Sequence, residues 1–512
     1  GTRAPREVIL TPPGAKTVRL PHRGSRVICP NSPFSPGFKS MPRTKIVATL
    51  GPASSDPDVL KKMVEIGLDL ARINLSHGHH AGHRARVEAL RDAAASVGRP
   101  VPILMDLQGP KIRVGDLRAP LPLAPSQRVV LAPAGEESEG EIPTTYPGLA
   151  RDLKPGNWVL MDDGNLELIC RGIRGDRVEL EVIRGGLLHP RKGINLPRAD
   201  IREPALTEKD LEDLEFALEM GAEFVGLSFV RKPEDVADLK SRLGGRARVV
   251  AKIEKAEALD HLHEILEVAD AVMVARGDLG VELPFEKVPL IQKRIIQLAN
   301  FHARPVITAT QMLESMLDGT RPTRAEASDV ANAILDGTGA VMLSGETAVG
   351  RYPLKAMEAL VRIAEEVDRS GAMARGPHYL PMDGIPERTG ASIREHAVAS
   401  ASVESARSLG AAAIVALTRS GFTAQLVASY KPALPIFAVC TDPLVYRQLQ
   451  AVWGVCPILA EGCEVSYDSL FPRGKAAVVE SGAGKAGDTV VVTAGYPFHT
   501  PGSTNTMRVE RI

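Results

Sequence analysis

Cysteine is scarce in this chain: five in 512 residues (Cys29, Cys170, Cys440, Cys456 and Cys463), with no Cys-x-x-Cys spacing. That scattering excludes a disulfide framework or a thiolate zinc site and suits the reduced thiols of a cytoplasmic protein. An excess of charge of either sign is missing too, since 62 basic side chains face 62 acidic ones. No global field therefore draws the protein to nucleic acid or to a membrane. No apolar run approaches the roughly 18–20 residues of a membrane span, and no low-complexity tract or solenoid repeat occurs. What is present is an ordinary globular composition, 44% hydrophobic and 24% charged. The length exceeds one core and suggests about two to four domains.

Eight short apolar segments recur: Lys45–Leu50, Leu70–Leu75, Ile103–Met105, Phe224–Leu227, Arg248–Ala251, Ala271–Val274, Pro305–Ile307 and Ala340–Leu343. Residues able to do chemistry stand just beyond them: Arg72, Asn74 and Ser76, then Asp106, Ser228, Lys252 and Glu254, Gly277 and Asp278, Thr310, and Glu346. Helical patterns separate most of the segments. This predicts a (β/α)8 TIM barrel, whose catalytic groups gather at the C-terminal ends of the strands.

From Pro110 to Arg202 the pattern changes to short β-type runs between Gly and Pro turns, hinged at Gly109-Pro110 and Glu203-Pro204. It reads as a small all-β domain inserted in one βα loop, placed to close over substrate as a lid. A looser stretch, Arg369–Arg388, suits a linker, and from Ala391 helix and strand patterns give an open α/β sheet. The expected division is a disordered N-terminal extension at 1–40, a barrel at 41–109 and 203–368, a β-barrel lid at 110–202 and a C-terminal α/β domain at 391–512. Residues 1–40 carry one acidic residue, Glu7, and no sustained periodicity. A mis-assigned start upstream of Met41 fits them, and an Arg-rich transit peptide is the alternative.

Lys252-Ile253-Glu254 sets an ammonium and a carboxylate on one face of a strand end. Arg276-Gly277-Asp278-Leu279-Gly280 follows the next strand with a second carboxylate and a Gly-rich turn. Two carboxylates from neighbouring strands make a hard oxygen site for Mg²⁺ or Mn²⁺, and the N–H groups of Gly277 and Asp278 suit a substrate carboxylate. Lys252 beside that metal is a fixed positive charge for an enolate or a transferring phosphoryl group; a salt-bridged pair at the barrel rim is the bland reading. Arg72, Asn74 and Ser76 share a face, and Arg72 suits phosphate. Asn74, Ser76 and Asp106 together offer oxygens to a monovalent cation. Thr310 fits proton transfer, relayed through water and Ser344 or Glu346, or equally a helix N-cap. Arg113 and Lys192, near the ends of the insertion, reach nucleotide phosphates on closure or are simply solvated.

On these residues the chain resembles the pyruvate kinase family. The matching blocks are Thr44–Ser54 (TKIVATLGPAS), Ala71–Gly78 (ARINLSHG), Lys252–Glu254 (KIE), Ala275–Glu282 (ARGDLGVE), Ala309–Met316 (ATQMLESM), Arg321–Glu326 (RPTRAE) and Met342–Ala348 (MLSGETA). They follow the family's order and extend from about Pro42 to the C-terminus. The resemblance implies phosphoryl transfer from phosphoenolpyruvate to ADP, normally in a homotetramer with a regulatory C-terminal domain. It implies that Arg72 binds the transferring phosphate, that Lys252 stabilises transition-state charge, and that Glu254 and Asp278 hold Mg²⁺. The Gly277 and Asp278 backbone grips the carboxylate, Thr310 lies near the enolate carbon, and Arg113 and Lys192 contact the nucleotide. Asp106–Val114 (DLQGPKIRV) departs from the common pattern, with Lys111 where many relatives carry glutamate. With Leu107 it resembles the K⁺-independent branch, an ammonium standing in for the monovalent cation of the Asn74, Ser76, Asp106 and Leu107 region. Val349 stands where many relatives carry lysine.

Thr418, Arg419, Ser420, Gly421 and Thr423 form a loop whose hydroxyl and N–H groups suit a phosphate, a capped helix start being the alternative. In relatives this loop holds a sugar phosphate, with a later loop, here Pro497–Asn505, closing over it. Ser481 falls about where relatives that use fructose 1,6-bisphosphate carry a basic residue, so a sugar monophosphate or AMP is the expected activator. Two other functions compete: a Mg²⁺-dependent aldolase or lyase working through a pyruvate enolate, and a metabolite sensor with a dead barrel. The second calls for loss of Lys252, Glu254 or Asp278, and all three are present.

Overall fold

A computed structural model describes residues 42–199, 201–379, 391–498 and 503–512. The expected extension at 1–40 and the later part of the linker lie outside the described residues. Eight parallel strands form the centre: β1 (Lys45–Thr49), β2 (Leu70–Asn74), β3 (Ile103–Asp106), β4 (Phe224–Leu227), β5 (Arg248–Ile253), β6 (Ala271–Ala275), β7 (Val306–Ala309) and β8 (Ala340–Leu343). They pair in sequence order and β8 returns to β1, closing the barrel. Several strand ends run past the apolar segments, so Asp106 and Lys252 lie inside β3 and β5. The ladder explains this: Asp106 is still registered with Asn74 and Gly226, and Lys252 with Met273.

Side-chain alternation builds two cores. Val250 joins Val47, Leu70, Leu104, Phe224 and Met342 inside the barrel, while its neighbour Val249 packs outward beneath the helices. The helix at Glu208–Glu219 starts at a capping box: Thr207 Oγ1 accepts from Asp210 N at 3.1 Å and Asp210 Oδ2 accepts from Thr207 N at 2.9 Å. The start of β1 is pinned by Asp69, which accepts from Ile46 N at 2.9 Å and from the buried Arg99 Nη2 at 2.7 Å.

The insertion is a six-stranded sheet and a two-stranded ribbon, with one short helix at Leu149–Asp152. Its edge strands are Ile142–Thr144 and Ile194–Asn195. Arg113 bridges to Gly193 beside one edge and Val114 to Thr144 on the other, which rolls the sheet toward closure. The C-terminal part is a five-stranded sheet of β9 (Ala413–Leu417), β10 (Ile436–Cys440), β11 (Val455–Leu459), β12 (Thr489–Ala494) and β13 (Thr506–Arg511), in the order β11-β10-β9-β12-β13. The last strand runs antiparallel.

This sheet's connections close the barrel floor, where Ala451 packs against the inner core. Beside it, Lys431 is only 4% exposed and lies 4.9 Å from the centroid of the Trp453 ring, with Arg43 at 5.6 Å from the same ring. Burial pushes the Lys431 ammonium down from 10.5 to about 7. Between those values the unfolded chain binds more protons than the folded one, so stability rises with pH across that window and is lowest at and below pH 7. Urea unfolding from pH 7 to 9.5 is expected to show a Lys431 contribution rising by up to about 1.4 kcal/mol per pH unit. Lys431→Met removes that slope.

Candidate active site

At the C-terminal mouth, β2, β3 and β5 deliver charges that meet. Lys252 Nζ lies 2.8 Å from Glu254 Oε1 and 3.4 Å from Asp106 Oδ1. It also donates to Ser228 Oγ at 2.8 Å, and that hydroxyl donates to the Leu107 carbonyl at 2.7 Å. Arg72 donates from Nε to Asp106 Oδ2 at 2.7 Å and from Nη1 to Thr49 Oγ1 at 3.0 Å. Glycine is required at 226, because a Cβ there would stand 2.8 Å from Asp106 Oδ1.

Burial pushes the Asp106 carboxyl up, but the Lys252 ammonium and the Arg72 guanidinium outweigh it and hold it below the usual range. Burial likewise works against the Lys252 ammonium, and Asp106 and Glu254 outweigh it, so Lys252 stays charged. Glu254 is different: burial raises it, Lys252 opposes, and the neighbouring negative charge of Asp278 adds to the rise. One Glu254 oxygen accepts from Phe229 N at 2.9 Å, while Oε1 has no hydrogen bond and only its ion-pair contact with Lys252. A buried carboxylate raised by a second one beside it, with one oxygen held only by the Lys252 ion pair, fits a hard divalent cation. Among the described residues no group of three or more His, Cys, Asp or Glu side chains is arranged as a complete metal site. An ion held by Glu254 and Asp278 therefore keeps positions open for other oxygens.

The opposite wall carries a feature the sequence did not reveal. Thr310 has φ +65°, a strained conformation for a β-branched residue. Arg276 stabilises it by donating to the carbonyls of Ala309, Thr310 and Gln311. Thr310 is a helix cap, but for the neighbouring helix: its Oγ1 accepts from Gly277 N at 2.8 Å and donates to the Ala309 carbonyl at 2.7 Å. The Gly277 N–H assigned to a substrate carboxylate is thus already engaged. Glu346 receives Leu313 N and Ser344 N, at 3.1 and 2.7 Å.

In the monovalent-cation region most oxygens are engaged. Asn74 Oδ1 accepts from Ser76 N at 3.1 Å, Asp106 Oδ2 accepts from Arg72, and the Leu107 carbonyl accepts from Ser228, while Asp106 Oδ1 has only its ion-pair contact with Lys252 at 3.4 Å. Lys111 and Asp278 line one cleft between insertion and barrel, with Asn195, Phe229 and Lys255. Arg113 and Lys192 do not line it. Arg113 Nη1 donates to the Arg191 carbonyl at 3.2 Å, and Lys192 pairs with Asp162 at 2.7 Å. Burial lowers the His77 imidazole from its ordinary value, and the charges of Arg113, Lys111 and Arg72 add to that. In the C-terminal part, Arg419 and Ser420 line a pocket with Thr441, Asp442 and Val445. Thr418 Oγ1 instead accepts from Gly421 N at 2.9 Å, and the Thr423 hydroxyl bonds that of Thr504. Part of Pro497–Asn505 lies outside the described residues.

Sequence reasoning gave Ser228 no role, although its place directly after β4 marked it. It also missed the link from insertion to barrel, where Glu282 Oε1 accepts from Asn195 Nδ2 at 3.2 Å and Lys255 Nζ at 2.6 Å. No motif spacing signals that contact.

A closed parallel barrel with this charge cluster at its mouth and an inserted β domain beside it is a (β/α)8 enzyme for a small anionic substrate. A family profile described as "Pyruvate kinase, barrel domain" matches residues 41–357, and "Pyruvate kinase, alpha/beta domain" matches 396–510. The chain is 45% identical over 479 residues to a pyruvate kinase of Mycobacterium intracellulare, covering 92% of this chain and 98% of the relative. It is 45% identical over 475 residues to one of Mycobacterium tuberculosis, covering 92% and 98%. It is 43% identical over 473 residues to one of Agrobacterium vitis, covering 92% and 97%. The chain belongs to the pyruvate kinase family. Thr310→Val, which keeps the shape but removes the hydroxyl, is expected to lower kcat by roughly 10²-fold or more if that hydroxyl lies on the proton path. Its stability falls by no more than the loss of one helix cap, about 1 kcal/mol; a kcat within a few-fold of the parent's removes Thr310 from that path.

Proposed function

We propose that the chain transfers the phosphoryl group of phosphoenolpyruvate to ADP, giving pyruvate and ATP. The observation that carries this reading is the buried Arg72–Asp106–Lys252–Glu254 cluster beside Gly277 and Asp278, in a chain of this family. Phosphoryl transfer asks a protein mainly for positioning and charge neutralisation. Arg72, fixed by Asp106, orients the phosphate. Lys252 holds a full positive charge in a dry site, where it stabilises charge developing between phosphate and enolate. The Asp278 N–H and, once Thr310 yields it, the Gly277 N–H take the carboxylate. Thr310 stands where the enolate carbon gains its proton. Glu254 and Asp278 hold Mg²⁺ or Mn²⁺, which when bound neutralises phosphate charge. The insertion acts as the lid, bringing Arg113 and Lys192 to the nucleotide. The protein works in the cytoplasm as a homotetramer, and a phosphorylated effector, a sugar monophosphate or AMP, binds at Thr418, Arg419, Ser420, Gly421 and Thr423. Among the described residues no helix is long and apolar enough to cross a membrane.

A lactate-dehydrogenase-coupled assay with phosphoenolpyruvate and ADP tests the reaction. Lys252→Met is expected to retain phosphoenolpyruvate binding and lose turnover by about 10²–10³-fold or more. A variant that keeps most of its kcat assigns the stabilising charge elsewhere.

Lys111 replaces the monovalent cation in this reading. Its support is the place of Lys111 in the cleft with Asp278 and the engagement of Asn74 Oδ1, Asp106 Oδ2 and the Leu107 carbonyl. Rates without K⁺ are expected to match those with it, and Lys111→Glu becomes slow unless KCl is added. A strong K⁺ requirement in the parent protein refutes this role.

A further inference from the structure

The pocket assigned above to a phosphorylated effector and the charge cluster at the barrel mouth lie at opposite ends of the strands. Two polar links join them, both at the barrel floor. The first centres on Glu223, which is fully buried just before β4. Its Oε1 accepts from Arg447 Nε at 2.6 Å, and its Oε2 accepts from Ile103 N, the first residue of β3, at 2.7 Å. Arg91 Nη2 donates to the same carboxylate at 2.9 Å. The Glu223 carbonyl accepts from Arg248 N, the first residue of β5, at 3.1 Å and from Gln448 Nε2 at 3.3 Å. One residue therefore ties the starts of β3, β4 and β5 to the helix Pro443–Leu449.

That helix begins at the pocket. Thr441, Asp442 and Val445 line it, and Asp442 caps the helix by accepting from Leu444 N at 2.7 Å. Arg447 follows Asp442 by five positions, about 7.5 Å of rigid rod. The second link is shorter: the Arg248 guanidinium donates to the carbonyl of Ser420, which also lines the pocket. At the far ends of the strands held by these links stand Asp106 and Lys252, with Ser228 and Glu254 just beyond. The floor's other polar contacts join β1 to the C-terminal part away from the pocket, as in the Lys45 Nζ bond to the Val455 carbonyl at 3.2 Å.

We propose that Glu223 with Arg447 and Gln448, and Arg248 with the Ser420 carbonyl, are positioning links through which a phosphate in the Ser420 pocket sets the height of β3, β4 and β5. This rests on the effector reading above. A strand is stiff along its axis, and three neighbouring ladder-paired strands move together. Movement of the Ser420 loop or of helix Pro443–Leu449 is thereby delivered to the charge cluster as displacement of Asp106, Ser228 and Lys252 together against Arg72 on β2. The links act on occupancy by phosphoenolpyruvate and leave the chemical step alone.

Arg447→Met and Arg248→Met test this independently, and neither leaves a buried charge orphaned, since Glu223 keeps Arg91 and the Ile103 N–H. The probes are glucose 6-phosphate and AMP, titrated at sub-saturating phosphoenolpyruvate, with binding followed by calorimetry. In the parent, the better probe is expected to lower half-saturating phosphoenolpyruvate by about fivefold or more, the ordinary range of coupling between sites. In each variant the probe still binds, kcat at saturation is unchanged, and the shift falls below about twofold. Arg447→Lys, which restores a cationic donor toward Glu223, recovers part of it. Variants that bind the probe and respond like the parent overturn the links while leaving the effector reading intact. Loss of probe binding in a variant places that residue in the pocket and also overturns the link. A parent that neither binds nor responds to either probe overturns both readings.

Discussion

Charges taken out of water are stable only in company, and the mouth of this barrel is organised around that constraint. Lys252 stays an ammonium because Asp106 and Glu254 face it, and Asp106 stays a carboxylate because Lys252 and Arg72 face it. Removing Lys252 would leave Glu254 without its ion pair, and removing Asp106 would leave Arg72 without one; breaking a buried pair costs about 3–5 kcal/mol. The geometry that prevents this is supplied by the barrel. Parallel pairing of β2, β3, β4 and β5 brings these groups to the same end of the barrel. The missing side chain at Gly226 leaves room for the Asp106 carboxylate.

The cluster is unbalanced in one place, and that imbalance points to what it holds. Glu254 is raised by burial and by Asp278, with one oxygen lacking a hydrogen bond. Extra positive charge is wanted at that edge, beside the turn where Thr310 and Gly277 are engaged with each other. The strained Thr310 backbone, held by Arg276, places a hydroxyl within reach of both the turn and the barrel axis. The same economy governs the floor, where Glu223 satisfies donors from β3 and from two helices with a single carboxylate.

Legibility in the sequence followed the range of the interaction. The eight strands could be read because each is a short apolar run, and the Thr207–Asp210 capping box is equally local, acting over three residues. Lys252 and Glu254 could be paired because alternation along one strand is local. The edge strand β11, the antiparallel β13 and the helix at Tyr467–Glu480 went unread: tertiary packing of the C-terminal sheet defines them more than local pattern does. Ser228 and Glu282 went without a role for the same reason, since their partners lie 24 and 87 residues away in the chain.

By itself, then, the sequence determined the barrel, the insertion, the C-terminal α/β part and the list of residues able to do chemistry, all of which rest on periodicity and short motifs. Only the tertiary structure decided which of those residues meet. It joined Arg72, Asp106 and Lys252 from three strands, turned Lys192 toward Asp162, and set Thr310 on Gly277 instead of on its own helix. The physical reason is that hydrogen bonds and ion pairs depend on distances of a few ångströms between elements. Strand register and barrel closure set those distances, and no single segment encodes them.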